Sequence, residues 1–195
     1  MNRKPLSLRD YLLMSLIAVV FGIVFLTAVY AGTALTAALT PLGLGVLGYE
    51  PFYGIWYSAA LVTTYMIRKP VVGIVTEVAT ALVQILLGNM FGAIVLISAF
   101  IQGVGVELAF AATKYEQYTY KVSMLAAVIT TVLSFIWTGF RSNYLAMDWR
   151  IVLAIFVIRL LSALFFTGFV AKWLCDKLDE AGVLNHNLKA SDAVE

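Results

Sequence analysis

The run from Tyr11 to Ala31, YLLMSLIAVVFGIVFLTAVYA, contains no charged residue. A helix that crosses a bilayer needs about 20 mostly apolar residues, and this run supplies them directly after Arg3, Lys4 and Arg9. It is too long for the apolar core of a secretory signal, so it reads as a retained anchor. The whole chain has the same character. Its 195 residues are 62% hydrophobic and 12% charged, with a mean hydropathy of +0.94, against roughly 45–50% apolar and about 25% charged in a soluble domain. A soluble fold of this length leaves roughly a third of its unfolded-chain surface in water and could not hide so much apolar area. A soluble enzyme, a secreted disulfide scaffold and a disordered chain are excluded, and an all-α integral membrane protein remains. The formal net charge of +2 carries no nucleic-acid footprint, so the solvent is the lipid bilayer.

Outward from the first span, further apolar runs predict a six-transmembrane-helix bundle. The helices are expected at about 11–31, 51–67, 70–87, 91–113, 121–139 and 150–174, in a single membrane domain over 1–195, with a polar cytoplasmic tail at 176–195. With the N-terminus inside, the inner segments hold Arg3, Lys4, Arg9, Arg68, Lys69, Lys114, Lys121, Lys172, Lys177 and Lys189. The outer segments hold only Arg141 and Arg150. The positive-inside rule then places both termini in the cytoplasm. Segment 32–50 is apolar yet rich in Gly, Thr and Ala, and Pro41 with the run GLGVLG at 43–48 breaks it. Such a segment suits a lid over a pocket, or else an extension of the first helix followed by a turn.

Ionisable groups inside a membrane normally face the bundle interior or a cavity. Here they are Glu77, Glu107 and Arg159, with Gln84, Asn89 and Gln102 as uncharged companions. Glu77 lies roughly 10 Å along its helix and shares a face with Thr80, Ala81, Gln84 and Gly88, with Asn89 at the outer mouth. This is either a pocket wall or one half of an interhelical pair with Arg159. Glu107, near the inner end of its helix, reads as a structural or coupling residue. Tyr53 and Tyr57 stand one turn apart, with Trp137 near the exit of the fifth helix. Aromatic faces beside a midplane carboxylate suit a flat, cationic heterocycle. Ala18 and Gly22 form a small-xxx-small groove for another helix, within the chain or on a docking subunit. One cysteine, Cys175, and one histidine, His186, leave no disulfide and no Cys-based metal site. No catalytic constellation, cofactor motif or P-loop is present, so ATP-driven work must come from a partner.

Several blocks together carry a resemblance: Tyr53-Gly54-Ile55-Trp56, Ile67-Arg68-Lys69-Pro70, Glu77-Val78-Ala79, Leu87-Gly88-Asn89 with Phe91-Gly92, Gln102-Gly103-Val104-Gly105-Val106-Glu107-Leu108-Ala109-Phe110, Arg159-Leu160 and Gly182-Val183-Leu184. Over most of residues 50–184 the chain resembles the S components of energy-coupling factor (ECF) vitamin transporters, of the thiamine/hydroxymethylpyrimidine permease family. Many S components carry Ala-x-x-x-Ala on the first helix, where this chain has Ala18 and Gly22. The resemblance implies high-affinity capture of thiamine or its hydroxymethylpyrimidine precursor, without catalysis or a cofactor. It also implies association with a transmembrane coupling subunit and ABC-type ATPase subunits in a cell membrane. Glu77 would then meet the pyrimidine amine or balance the cation, and Trp137, Tyr53 or Tyr57 would stack. The alternative is a self-sufficient proton-coupled carrier that titrates Glu77 or Glu107.

Overall fold

The structure is a computed structural model and describes residues 5–182. Arg3, Lys4, Val183, Leu184, His186 and Lys189, with the rest of the tail, lie outside the described residues. The described chain is all-helical. Helix α1 (Leu8–Leu39) begins in a capping box, in which Ser7 Oγ accepts the Asp10 N–H and Asp10 accepts the Ser7 N–H. It continues eight residues past Ala31. Residues 32–39 are largely Ala and Thr, and Thr33 turns its hydroxyl onto the Val29 carbonyl at 2.8 Å. Such back-bonding lets a threonine stay in an apolar helix.

Four short 3₁₀ turns follow, at Thr40–Leu42, Gly45–Leu47, Glu50–Phe52 and Ile55–Tyr57. The expected second helix from residue 51 is therefore two 3₁₀ turns leading into α2 (Ser58–Ile67). Next come α3 (Val72–Leu86), α4 (Ile94–Ala112) and α5 (Tyr120–Arg141). Helix α6 (Trp149–Ala163) passes through a π-helical stretch, Leu164–Ala171, into α7 (Lys172–Glu180). The first residues of the expected polar tail are thus helical, with Lys172 bound to Asp176 and Lys177 to Glu180. Among the described residues four helices are long and apolar enough to cross a membrane: Leu8–Leu42, Ile94–Ala112, Tyr120–Arg141 and Trp149–Glu180. Ile55–Ile67 and Val72–Leu86 are shorter apolar helices.

Helix α2 is the axis of the molecule. Every residue from Tyr57 to Tyr65 is buried, as expected for a helix that is apolar all round. Helix α3 packs between α1 and α4, α4 lies against α5, and α5 lies against the π-helical stretch. Leu12, Leu16, Ile23, Leu86 and Leu161 are all more than half exposed, an apolar outer surface that suits lipid and not water.

Ala18 and Gly22 are buried and face inward. A Cβ on Gly22 would stand 2.6 Å from Val83 Cγ1 of α3. The small-residue stripe is therefore the seam between α1 and α3, and its reading as a docking face is corrected: no side of Gly22 is free for another subunit. Overpacking of a well-packed contact destabilises by about 1–3 kcal/mol. Gly22→Leu adds a whole side chain at a distance already too short for one carbon. It is expected to lower the thermal midpoint of the detergent-solubilised protein by several degrees. An unchanged midpoint would place the seam elsewhere.

Candidate ligand-binding site

Both membrane glutamates cap neighbouring helices. The first N–H groups of a helix have no partner within it. Ala60, in the first turn of α2, donates its N–H to Glu77 Oε2 at 2.8 Å, and Gly73, in the first turn of α3, donates to Glu107 Oε1 at 2.8 Å. A carboxylate at the positive end of a helix is electrostatically favoured. The glycines of the Gln-Gly-x-Gly-x-Glu block bring α4 close to its neighbours, Gly103 against α3 and Gly105 against α5. A Cβ on Gly103 would lie 2.6 Å from Ile74 Cα, and one on Gly105 would lie 2.5 Å from Thr130 Oγ1. Glu107 also accepts the Tyr115 hydroxyl and is buried. It is a buried helix-capping residue, the structural one of the two roles expected for it.

Glu77 differs in having one oxygen to spare. Its side chain is fully buried, and Oε1 has no hydrogen-bond partner among the described residues. It lines a cavity of about 270 Å³ formed by α1, α3, α4, α5 and the α1–α2 connection, near the lower end of the ~300–1,000 Å³ usual for small-molecule sites. Ala81 and Gln84 continue the α3 wall, Ser98 and Gln102 stand on α4, and Trp137 stands on α5. Tyr49, Tyr53, Trp56 and Phe91 supply aromatic faces. The Trp137 indole N–H donates to Ser98 Oγ at 2.9 Å and fixes the ring. Tyr49 packs edge-on to Phe91, and Tyr53 packs edge-on to Trp56. Gln84 Nε2 and Asn89 Nδ2 are buried donors without a partner.

The structure therefore brings Glu77, Gln84, Asn89, Gln102, Tyr53 and Trp137 to one cavity. It does not bring Tyr57 there: that ring is 0% exposed and packs with Ala127 and Ala163 behind the wall. Arg159 is not on the wall either, and it does not pair with Glu77. Its Nε and Nη2 donate to the two carboxylate oxygens of Glu50 at 2.7 and 2.8 Å, and Nη1 donates to Thr138 Oγ1 at 2.7 Å. Nη2 also donates to the Tyr144 hydroxyl at 3.2 Å, and the guanidinium lies 3.6 Å from the Tyr53 ring centroid. Burial raises the Glu50 carboxyl above its ordinary value, and the Arg159 hydrogen bonds oppose that rise. Burial also pushes the Tyr144 phenol up to about 12, so its hydroxyl stays protonated.

Glu50 was not selected from the sequence because it ends an apolar loop, where a carboxylate looks solvated. A signal was present. It is the only acidic residue between Asp10 and Glu77, and an arginine within a bilayer requires an anion at its own depth. Tyr49 and Trp56, which belong to the same aromatic cluster as Tyr53 in the sequence, line the cavity too, as do Phe91, Ser98 and Arg141, which the sequence does not single out as site residues. The N–H and carbonyl of Gly54 complete the attachment of this segment to α6 and the π-helical stretch. The Gly54 N–H donates to Ser162 Oγ at 3.0 Å, Ser162 Oγ donates to the Pro51 carbonyl at 2.7 Å, and Thr167 Oγ1 donates to the Gly54 carbonyl at 2.6 Å.

Comparison with known proteins agrees with this architecture. The family described as "ABC-type cobalt transport system, permease component" matches residues 9–133, more than half of the chain. A protein of Bacillus subtilis (strain 168) named "Putative HMP/thiamine permease protein YkoE" is 38% identical over 182 residues, covering 93% of this chain and 89% of that protein. A solved structure described as the crystal structure of an S-component of ECF transporter superposes with a TM-score of 0.86 at 36% identity. That match covers 97% of this chain and 96% of the other. The chain belongs to the family of ECF-transporter S components that includes this relative: it is a multi-pass membrane transport protein and not an enzyme.

Proposed function

We propose that this chain is the substrate-binding component of an ATP-driven importer, and that its ligand is thiamine or the hydroxymethylpyrimidine precursor. The observation that carries the reading is Glu77 Oε1, a buried carboxylate oxygen without a protein partner, in a cavity walled by aromatic rings. A buried charge requires a partner or a strong hydrogen-bond donor. An aminopyrimidine brings an exocyclic amine to that oxygen, and the thiazolium of thiamine adds a cation for Tyr53, Trp56 or Trp137 to face. Gln84, Asn89 and Gln102 supply the remaining polar contacts. The name of the Bacillus relative supports this ligand class. The cobalt in the family description points instead to an ion, but among the described residues no group of three or more His, Cys, Asp or Glu side chains could hold one. Aromatic walls fit a flat organic ring better.

In the proposed topology the chain is a single membrane domain. Ile55–Ile67 and Val72–Leu86 join the four longer helices as spans, both termini are cytoplasmic, and the cavity opens outward. The cover over the cavity is segment 32–50, whose Val46, Tyr49 and Glu50 line it. The chain has no nucleotide-binding motif, so a transmembrane coupling subunit and ABC-type ATPases supply the driving force.

Trp56 and Trp137 both line the cavity and report on its occupancy. Titration of the purified protein with thiamine, and separately with hydroxymethylpyrimidine, is expected to give saturable quenching of tryptophan fluorescence with at least one of them. Silence with both would overturn the assignment. Uptake driven by a pH gradient into vesicles holding only this chain would instead establish a self-sufficient carrier.

A further inference from the structure

We infer that the rim of the cavity is an anion subsite, and that the preferred ligand is a phosphate monoester whose heterocycle lies toward Glu77. The inference rests on the proposed heterocycle site and adds a second end to it. Along α5 the cavity is lined by Ser134, Trp137, Thr138 and Arg141, then by Ser142. The seven steps from Ser134 to Arg141 correspond to about 10 Å of helix. Gln84 stands equally far along α3 from Glu77, with Asn89 just beyond it. The cavity therefore has a floor at Glu77 and a rim at Gln84, Asn89, Arg141 and Ser142.

The floor offers a free acceptor, whereas the rim is rich in donors. Asn89 Oδ1 is occupied by the Phe91 N–H at 2.9 Å, which leaves Nδ2 as the buried, unpartnered atom. Gln84 Nε2 is likewise a buried donor without a partner. Arg141 forms no ion pair among the described residues. Besides Glu77, the one acid on the cavity wall among the described residues is Glu50, and it is held by Arg159 through two hydrogen bonds. Glu50 and Arg159 cancel as a pair, so the ionisable groups left facing the ligand are Glu77 at the floor and Arg141 at the rim. Their complement is a molecule with a cation or N–H donors at one end and an anion at the other. Arg141 is exposed, so water serves its guanidinium when no ligand is bound, but a neutral or purely cationic heterocycle would leave the two buried amide donors without acceptors. A phosphate ester supplies oxygens to all three, and guanidinium–phosphate contacts are among the stronger hydrogen bonds.

The test is a set of fluorescence titrations with hydroxymethylpyrimidine and its monophosphate, thiamine and thiamine monophosphate, and inorganic phosphate, on the wild-type chain, Arg141→Gln and Arg141→Lys. In wild type each ester is expected to bind about ten-fold more tightly than its parent alcohol, the scale of one charge-assisted hydrogen bond. That preference is expected to fall to near parity in Arg141→Gln, to survive in Arg141→Lys, and to shrink as salt is raised. The anion subsite is overturned if the alcohols bind and their esters bind no better. It is also overturned if the preference persists in Arg141→Gln, and competition by inorganic phosphate as strong as that of the esters would overturn the monoester assignment, because the ring would then contribute nothing. Silence with every ring compound is a different result, and removes the heterocycle site itself.

Discussion

Glu77→Gln is expected to weaken ligand binding by roughly ten- to a hundred-fold while leaving the fold in place. The two consequences separate because the two oxygens do different work. Glutamine keeps a carbonyl oxygen that can accept the Ala60 N–H, so the cap on α2 survives. What is lost is the negative charge at the cavity floor, where Oε1 has no protein partner. A hydrogen bond to a charged group contributes about 1.5–3 kcal/mol, which corresponds to that range of affinity. The check is the dissociation constant from tryptophan quenching, measured beside the thermal midpoint of the same preparation. Unchanged affinity would remove Glu77 from the site. Weakened affinity with a collapsed midpoint would mean that the cap, not the ligand, is its main role.

Arg159→Met is expected to cause the largest loss of stability, about 3–5 kcal/mol, the scale for removing one partner of a buried pair. The guanidinium is fully buried and holds three elements together: Glu50 from the α1–α2 connection, Thr138 from α5 and Tyr144 from the α5–α6 turn. Truncation leaves the Glu50 carboxylate uncompensated in an apolar site. With both charges removed, in Glu50→Leu/Arg159→Met, a substantial part of the loss is expected to return, because no lone charge remains buried. Thermal unfolding in detergent distinguishes the two. A double variant no more stable than Arg159→Met alone would show that the pair matters through its geometry and not through its charge.

Arg159 shows where reading from residues alone succeeds and where it stops. That Arg159 must be paired was legible, because an unpaired arginine in lipid is prohibitive. That its partner is Glu50 and not Glu77 was not legible. Both carboxylates lie at a depth it can reach, and the choice depends on how the 3₁₀ turn Glu50–Phe52 packs onto α6. Similarly, the spacing of Ala18 and Gly22 announced a close helix contact without saying whose. Only the placement of Val83 beside Gly22 makes it an internal one. Tyr53 and Tyr57 share a helical spacing, yet the break into 3₁₀ turns around Gly54 sends one to the cavity and the other into the core.

Composition and hydrophobic run length were sufficient for the all-helical, membrane-embedded character of the chain. The bilayer is a uniform solvent, and it imposes one requirement on every residue that crosses it: the backbone must satisfy itself. The short list of polar residues inside that solvent was legible for the same reason, since each one is costly there. Which oxygen caps a helix, which faces a cavity and which meets an arginine depends on pairwise geometry between segments far apart in sequence. Glu50 and Arg159 are separated by 109 positions, and Glu77 reaches the start of α2 from a different helix. Local periodicity carries no information about such separations, so these assignments came only from the packed tertiary structure.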